Sequence, residues 1–228
     1  MRESVYHHKK SNVKLWLSPG SIVTRLFLVS LIALILLLVW VVFVYGKYTF
    51  DENVFRWFAP HITETRTKIM VAVSFFGNHV FLVPANLFLL ILFWVRKNKP
   101  LAIRVAVVSI SSVLLMSFLK TIFHRVRPDH PLVPGITNFS FPSGHSFMSV
   151  TFYGLLIWLV AISITNKSLQ RLIIISLLLF VLLIGFSRIY LRVHYATDVI
   201  AGLSMGFTWL IISLNVIDWL ETRKAKRI

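Results

Sequence analysis

Apolar residues run along this chain in long blocks separated by short, mostly basic segments. Leu26–Tyr45 is 20 residues without a charge. At about 1.5 Å per residue that is one bilayer core of α-helix. Val80–Val95, Val105–Leu119 (extending to about Leu101 and Phe123), Phe147–Ile164, Leu172–Ser187 and Val199–Ile217 follow. A shorter run, Ile69–Phe76, precedes the second block across a Gly77-Asn78-His79 break. It reads as a re-entrant or interfacial piece, or as the tilted start of the same span. The pattern therefore predicts an all-α, six-transmembrane-helix bundle. Leu26–Tyr45 is longer than a signal-peptide core and no small-residue cleavage site follows it, so it is expected to be a retained anchor. Between the first two blocks, Asp51–Lys68 carries Phe55, Trp57 and Phe58, which suits a segment at the headgroup level.

Composition narrows the class. The chain is 57% hydrophobic and 14% charged, against about 45–50% and 25% in ordinary soluble domains. A water-soluble globule and a disordered chain are both excluded. The formal charge of +16 could point to nucleic acid, an anionic membrane surface or an anionic substrate. Its distribution decides among them. With an inside N-terminus, fifteen Lys and Arg fall on inner segments and nine on outer ones, so the positive-inside bias puts both termini in the cytoplasm. Much of the charge is thus a topology signal. The basic ends lack the interleaved aromatics of single-strand binders, and no nucleic-acid partner is expected. Residues 1–25 read as a basic cytoplasmic segment, 26–220 as the membrane domain and 221–228 as a basic tail. Cysteine is absent, which removes disulfides, thiolate nucleophiles and Cys-ligated metals.

The basic residues on the disfavoured outer side carry the chemistry. Lys120 ends the third span and Arg127-Pro128 lies seven residues on. If the helix runs to Val126, the two cations share a face, and two cations at a membrane boundary need an anion. Phe141-Pro142-Ser143-Gly144-His145 opens the fourth span. Ser143 can cap the helix, Gly144 lets a ligand approach the backbone, and free N–H groups there favour phosphate. His145 sits in the first turn. Arg188 ends the fifth span, and His194 and Asp198 stand four residues apart before the sixth, neighbours if that stretch is helical. A carboxylate at a membrane boundary is a functional candidate with a named partner, here His194. Accepting Nδ1–H would fix the imidazole tautomer. Cations, helix N–H groups and two histidines on one side suit phosphoryl transfer. These residues alone leave open which histidine attacks, although the carboxylate favours His194.

Lys120-x6-Arg127-Pro128, Pro142-Ser143-Gly144-His145 and Ser187-Arg188-x5-His194-x3-Asp198 resemble the three signature motifs of the type 2 phosphatidic acid phosphatase superfamily. That superfamily includes phosphatidylglycerophosphate phosphatases B, undecaprenyl-diphosphate phosphatases and lipid phosphate phosphatases. The resemblance implies an acid phosphatase/vanadium-haloperoxidase-like core. It implies a membrane phosphatase acting on a lipid phosphate or polyprenyl diphosphate at the extracytoplasmic face, without a metal or other cofactor. It further implies that Lys120, Arg127 and Arg188 bind phosphate with Ser143 and Gly144 assisting. His194 would form a phosphohistidine, Asp198 would orient it, and His145 would protonate the leaving group and then activate water. A lipid phosphotransferase using the same phosphohistidine, or a non-catalytic phosphate-binding membrane protein, is the alternative.

Neighbouring residues have plainer readings. Arg125 and Arg192 are expected as headgroup or rim contacts, Tyr190 and Tyr195 as interfacial aromatics, and His124, His130 and Asp129 as loop residues. His79 with Asn78 reads as a helix start. Ser109, Ser111, Ser112 and Ser117 form a small-residue packing stripe, and Gly202-x3-Gly206 a packing motif within the chain.

Overall fold

A computed structural model describes residues 22–46, 48–135 and 137–225. The basic residues before Ile22, together with Lys47 and residues 226–228, lie outside the described set. The first span is α1 (Ile22–Trp40), continued by a π turn at Val41–Tyr45. A short helix α2 (Thr49–Phe58) and a 3-10 turn at Ala59–His61 follow. Then come α3 (Glu64–Phe75), α4 (His79–Val95), α5 (Lys99–Ile122), α6 (Gly144–Ser163), α7 (Lys167–Tyr190) and α8 (Ala196–Ala225). Among the described residues there is no strand, and six stretches are long and apolar enough to cross a bilayer, with α3 and α4 together forming one of them. The protein is a six-span, multi-pass membrane protein.

Side-chain caps explain where these helices begin. Thr63, Asn78, Asn98, Ser143 and Asn166 each accept a hydrogen bond from a backbone N–H of the first turn they precede. Asn78 and His79 thus do start a helix, and the Ile69–Phe76 run is a helix of its own, set off by the break at Phe76–Asn78. Gly77 makes that break fit. A Cβ there would lie 2.6 Å from Ile184 Cγ2 and 2.9 Å from Ser149 Oγ.

The centre of the bundle is α6. Of its apolar window 61% is buried, against 11% for α1 and 6% for α3–α4. It packs on α5, α7 and α8, while α1 lies on the outside of α8. Gly202 and Gly206 bring α8 against α6. A Cβ at Gly202 would meet Ser143 O at 2.5 Å, and one at Gly206 would meet Phe147 O at 2.7 Å. The glycine pair is therefore an intramolecular seam. The serine stripe of α5 adds polar links to its packing: Ser109 donates to Asn86 Oδ1 at 2.5 Å, and Trp209 Nε1 donates to Ser111 Oγ at 3.1 Å. At the end of the bundle away from the Pro142–His145 turn, Arg104 is 1% exposed and donates to Asp218 and Glu221, each at 2.6 Å.

The expected headgroup segment divides between two environments. Trp57 is exposed, but Phe58 is buried against Tyr190 and Phe186. Tyr190 is likewise core and not an interfacial belt residue. Its hydroxyl donates to His61 O at 3.2 Å and accepts from Thr63 N at 3.2 Å, tying α7 to the α2–α3 corner.

Candidate active site

Four helix ends meet at one end of the bundle: the C-termini of α5 and α7 and the N-termini of α6 and α8. Between them and the α3–α4 break is a cavity of about 540 Å³. Lys120, Arg127, Gly144, His145, Arg188 and His194 all line it, with Ser74, Asn78 and His79 on the α3–α4 side. Ser143 and Asp198 are buried behind this lining.

The two cations of the first motif converge by a different route from the expected one. The helix stops at Ile122, where Phe123 turns extended, so Lys120 and Arg127 do not share a helical face. An irregular segment carries Arg127 back over the cavity, where Asn138 and Phe139 fasten it. Arg127 Nε donates to Asn138 O at 2.6 Å, and its other nitrogens bond Asn138 Oδ1, Phe139 O and Val193 O. Lys120 Nζ donates to Phe139 O and, at 3.5 Å, to Ser140 O. Arg188 donates from one terminal nitrogen to Ser74 Oγ, while its buried Nε has no hydrogen-bond partner among the described residues.

Ser143 caps α6, and its own N–H donates to Asp198 O at 3.0 Å. The N-termini of α6 and α8 are thereby joined. His194 lies before α8 and not on it. The end of α7 closes with Arg192 at φ 53°, the left-handed residue that terminates a helix and reverses the chain. His194 N and Val193 N then both bond Arg188 O. Arg192 is partly buried, with its guanidinium 5.8 Å from the Phe55 ring centre.

The polar surroundings of His194 are specific. Arg127 approaches Nε2 at 3.3 Å. A guanidinium can only donate, so this contact requires the lone pair on Nε2 and the proton on Nδ1. Nδ1 is 3.3 Å from Ser140 Oγ and 3.6 Å from Asp198 Oδ2, and the Ser140 hydroxyl donates to that same oxygen. A serine therefore stands between imidazole and carboxylate. Burial pushes the His194 pKa down to about 3, against the opposing pull of Asp198. Burial thus favours the neutral imidazole.

Arg125 is not a rim contact. It is 5% exposed and donates to Asp198 Oδ1 at 2.5 Å, Thr197 Oγ1 at 2.7 Å and Asp51 Oδ2 at 2.8 Å. Tyr48 and Tyr195 cover its guanidinium at 4.9 and 3.9 Å, so Tyr195 is a cation–π partner and not simply a belt residue. Burial works against the Arg125 charge, but Asp198 and Asp51 outweigh it and hold the pKa above its ordinary value. Besides Arg125, read from sequence as a rim contact, Asp51, Ser140 and Ser74 are the site residues that sequence reasoning did not single out. One signal was available: Asp51 is among only eight acidic residues in the chain, in a segment that carries Phe50, Phe55, Trp57 and Phe58. His124, Asp129 and His130 are exposed loop residues outside the cavity lining.

The arrangement gathers three cations and a neutral imidazole around a space large enough for a phosphate group. The chain is also similar to known proteins. Residues 101–221 match the PAP2 superfamily. Phosphatidylglycerophosphatase B of Bacillus subtilis is 33% identical over 144 residues, 61% of this chain and 69% of its own. Undecaprenyl-diphosphatase of Sulfolobus acidocaldarius is 26% identical over 78% of this chain and 82% of its own. The crystal structure of the transmembrane PAP2-type phosphatidylglycerolphosphate phosphatase from Bacillus subtilis superposes with a TM-score of 0.74 at 26% identity, covering 84% of this chain and 96% of that one. This chain belongs to the PAP2 superfamily, among its membrane lipid phosphatases.

Proposed function

We propose that the protein hydrolyses a lipid phosphomonoester or polyprenyl diphosphate at the extracytoplasmic boundary of the membrane, through a phosphohistidine on His194. The observation that carries this reading is the contact of Arg127 with His194 Nε2, which presents a lone pair beside Lys120, Arg188 and His145 in one cavity.

In this reading the lipid phosphate enters among Lys120, Arg127 and Arg188, which neutralise its oxygens, while the α6 N-terminus at Ser143 and Gly144 supplies backbone N–H groups. His194 Nε2 attacks phosphorus. Positive charge then develops on the imidazole and is shared through Ser140 with Asp198. His145 protonates the departing oxygen and afterwards takes a proton from the water that cleaves the phosphorus–nitrogen bond. The extracytoplasmic placement is supported by the basic-residue bias between loops.

The test is phosphate release by purified protein from phosphatidic acid, phosphatidylglycerophosphate and undecaprenyl diphosphate, run beside His194→Ala. Release that His194→Ala lowers by several orders of magnitude supports the reading. Release unchanged in the variant overturns it, and phosphate recovered on an acceptor other than water makes the protein a transferase.

A further inference from the structure

Behind the candidate nucleophile lies a buried charge cluster that touches no substrate space. Asp51 is 2% exposed, Arg125 5% and Asp198 0%, and neither Asp51 nor Arg125 lines the cavity. Both oxygens of Asp198 are committed. Oδ1 accepts from Arg125 at 2.5 Å. Oδ2 accepts from the Ser140 hydroxyl and from Tyr195 N at 2.9 Å, and faces His194 Nδ1. Asp51 in turn holds both Arg125 and the first turn of α8. Its Oδ2 accepts from Arg125 at 2.8 Å and from Thr197 Oγ1 at 2.7 Å, and its Oδ1 accepts from Thr197 N at 2.9 Å.

We propose that Asp51 and Arg125 are positioning residues of the reaction: Asp51, reaching in from α2, clamps Arg125, and Arg125 fixes the carboxylate of Asp198 and so the orientation of the His194 imidazole. This rests on the phosphatase reading above. Three observations favour positioning over stability alone. Buried ion pairs recover little net stability, because two charges must be desolvated. The cluster is set directly behind one imidazole instead of being spread through the bundle. The Tyr48 and Tyr195 rings pack over the guanidinium, which limits how it can turn. Asp51 also comes from a helix outside the six spans, so the geometry of the dyad depends on α2 being docked.

The experiment compares the full chain with Asp51→Asn, Arg125→Lys and Arg125→Met. The substrate is the lipid phosphate the wild type turns over best, and folded fraction is measured for each by thermal unfolding in the same detergent. Asp51→Asn and Arg125→Met are expected to lower kcat about 10- to 100-fold per folded molecule, with KM within about threefold. Arg125→Lys should recover part of the loss. Inhibition by orthovanadate, a phosphate-shaped anion held by the cavity cations, should stay within about threefold of wild type. If Arg125→Met does not fold, the near-isosteric Asp51→Asn, which leaves the Arg125–Asp198 pair in place, decides the matter. A kcat within threefold of wild type, a loss accounted for by folded fraction, or a rise in KM at constant kcat overturns the positioning role. Wild-type protein that releases phosphate from none of the lipids overturns the functional reading itself.

Discussion

Arg127 donates toward Nε2 of His194 across 3.3 Å, so the ring nitrogen it meets is the one carrying a lone pair. The same Arg127 nitrogen also donates to Val193 O, and the other two guanidinium nitrogens bond Asn138 and Phe139. A lysine supplies one point charge and cannot reproduce that fork. Arg127→Lys is therefore expected to lower kcat/KM about 10- to 100-fold. Steady-state phosphate release measures it, and a variant within threefold of wild type would show that charge alone suffices.

Ser140 connects His194 Nδ1 to Asp198. Removing its hydroxyl leaves 3.6 Å between imidazole and carboxylate, beyond good hydrogen-bond range. Ser140→Ala should reduce kcat about tenfold or more with little change in KM. Equal kcat in the variant would mean the carboxylate reaches the ring directly.

The buried His194 gives stability a pH dependence of defined sign. Folded, it titrates near pH 3; unfolded, near about 6.5. Between those values the unfolded chain holds a proton that the folded one lacks, so stability falls as pH is lowered through this window. The slope from this group is at most about 1.4 kcal/mol per pH unit. Thermal unfolding from pH 7 to 4 should show a shallower decline for His194→Gln, which has no proton to gain. Identical slopes in the two proteins would contradict a depressed His194.

Gly202 lies against backbone, whereas Gly154 lies against the tip of a side chain. A Cβ at Gly202 meets Ser143 O at 2.5 Å, and one at Gly154 meets Leu210 Cδ2. Leucine can change rotamer; the carbonyl before the α6 N-terminus cannot step aside. Gly202→Ala should cost about 1–3 kcal/mol and lower activity, and Gly154→Ala should cost less of both. The reverse order in unfolding midpoints would place the tight seam elsewhere.

In the proposed reading Lys120, Arg127 and Arg188 neutralise the phosphate, and the neighbouring carboxylates Asp51 and Asp198 are already engaged by Arg125. EDTA is accordingly expected to leave phosphate release unchanged. Strong inhibition reversed by a divalent cation would require a different charge-neutralising partner.

Much of the fold was legible because a bilayer-spanning block is a one-dimensional signal: Leu26–Tyr45 needs no tertiary partner to be recognised. The motif residues were legible as types at fixed spacings, and Lys120, Arg127, His145, Arg188 and His194 do share one cavity. The path between them was not. The run through Val126 looks helical, yet α5 ends at Ile122. There Lys120 and Arg127 are tied to loop carbonyls, contacts that no local pattern encodes. Arg125 misled for a related reason. Next to a membrane boundary a lone arginine reads as solvated, and its burial depends on Asp51, 74 residues away. Tyr190 resembled an interfacial tyrosine until its two partners at the α2–α3 corner were placed.

Arg104, with Asp218 and Glu221 both on one nitrogen, rivets α5 to α8 at the end farthest from the cavity. Sliding those two helices past each other would strip a guanidinium of both anions in a dry setting. The two helices are therefore held in register, and Lys120 near the end of α5 keeps its height relative to Asp198 at the start of α8.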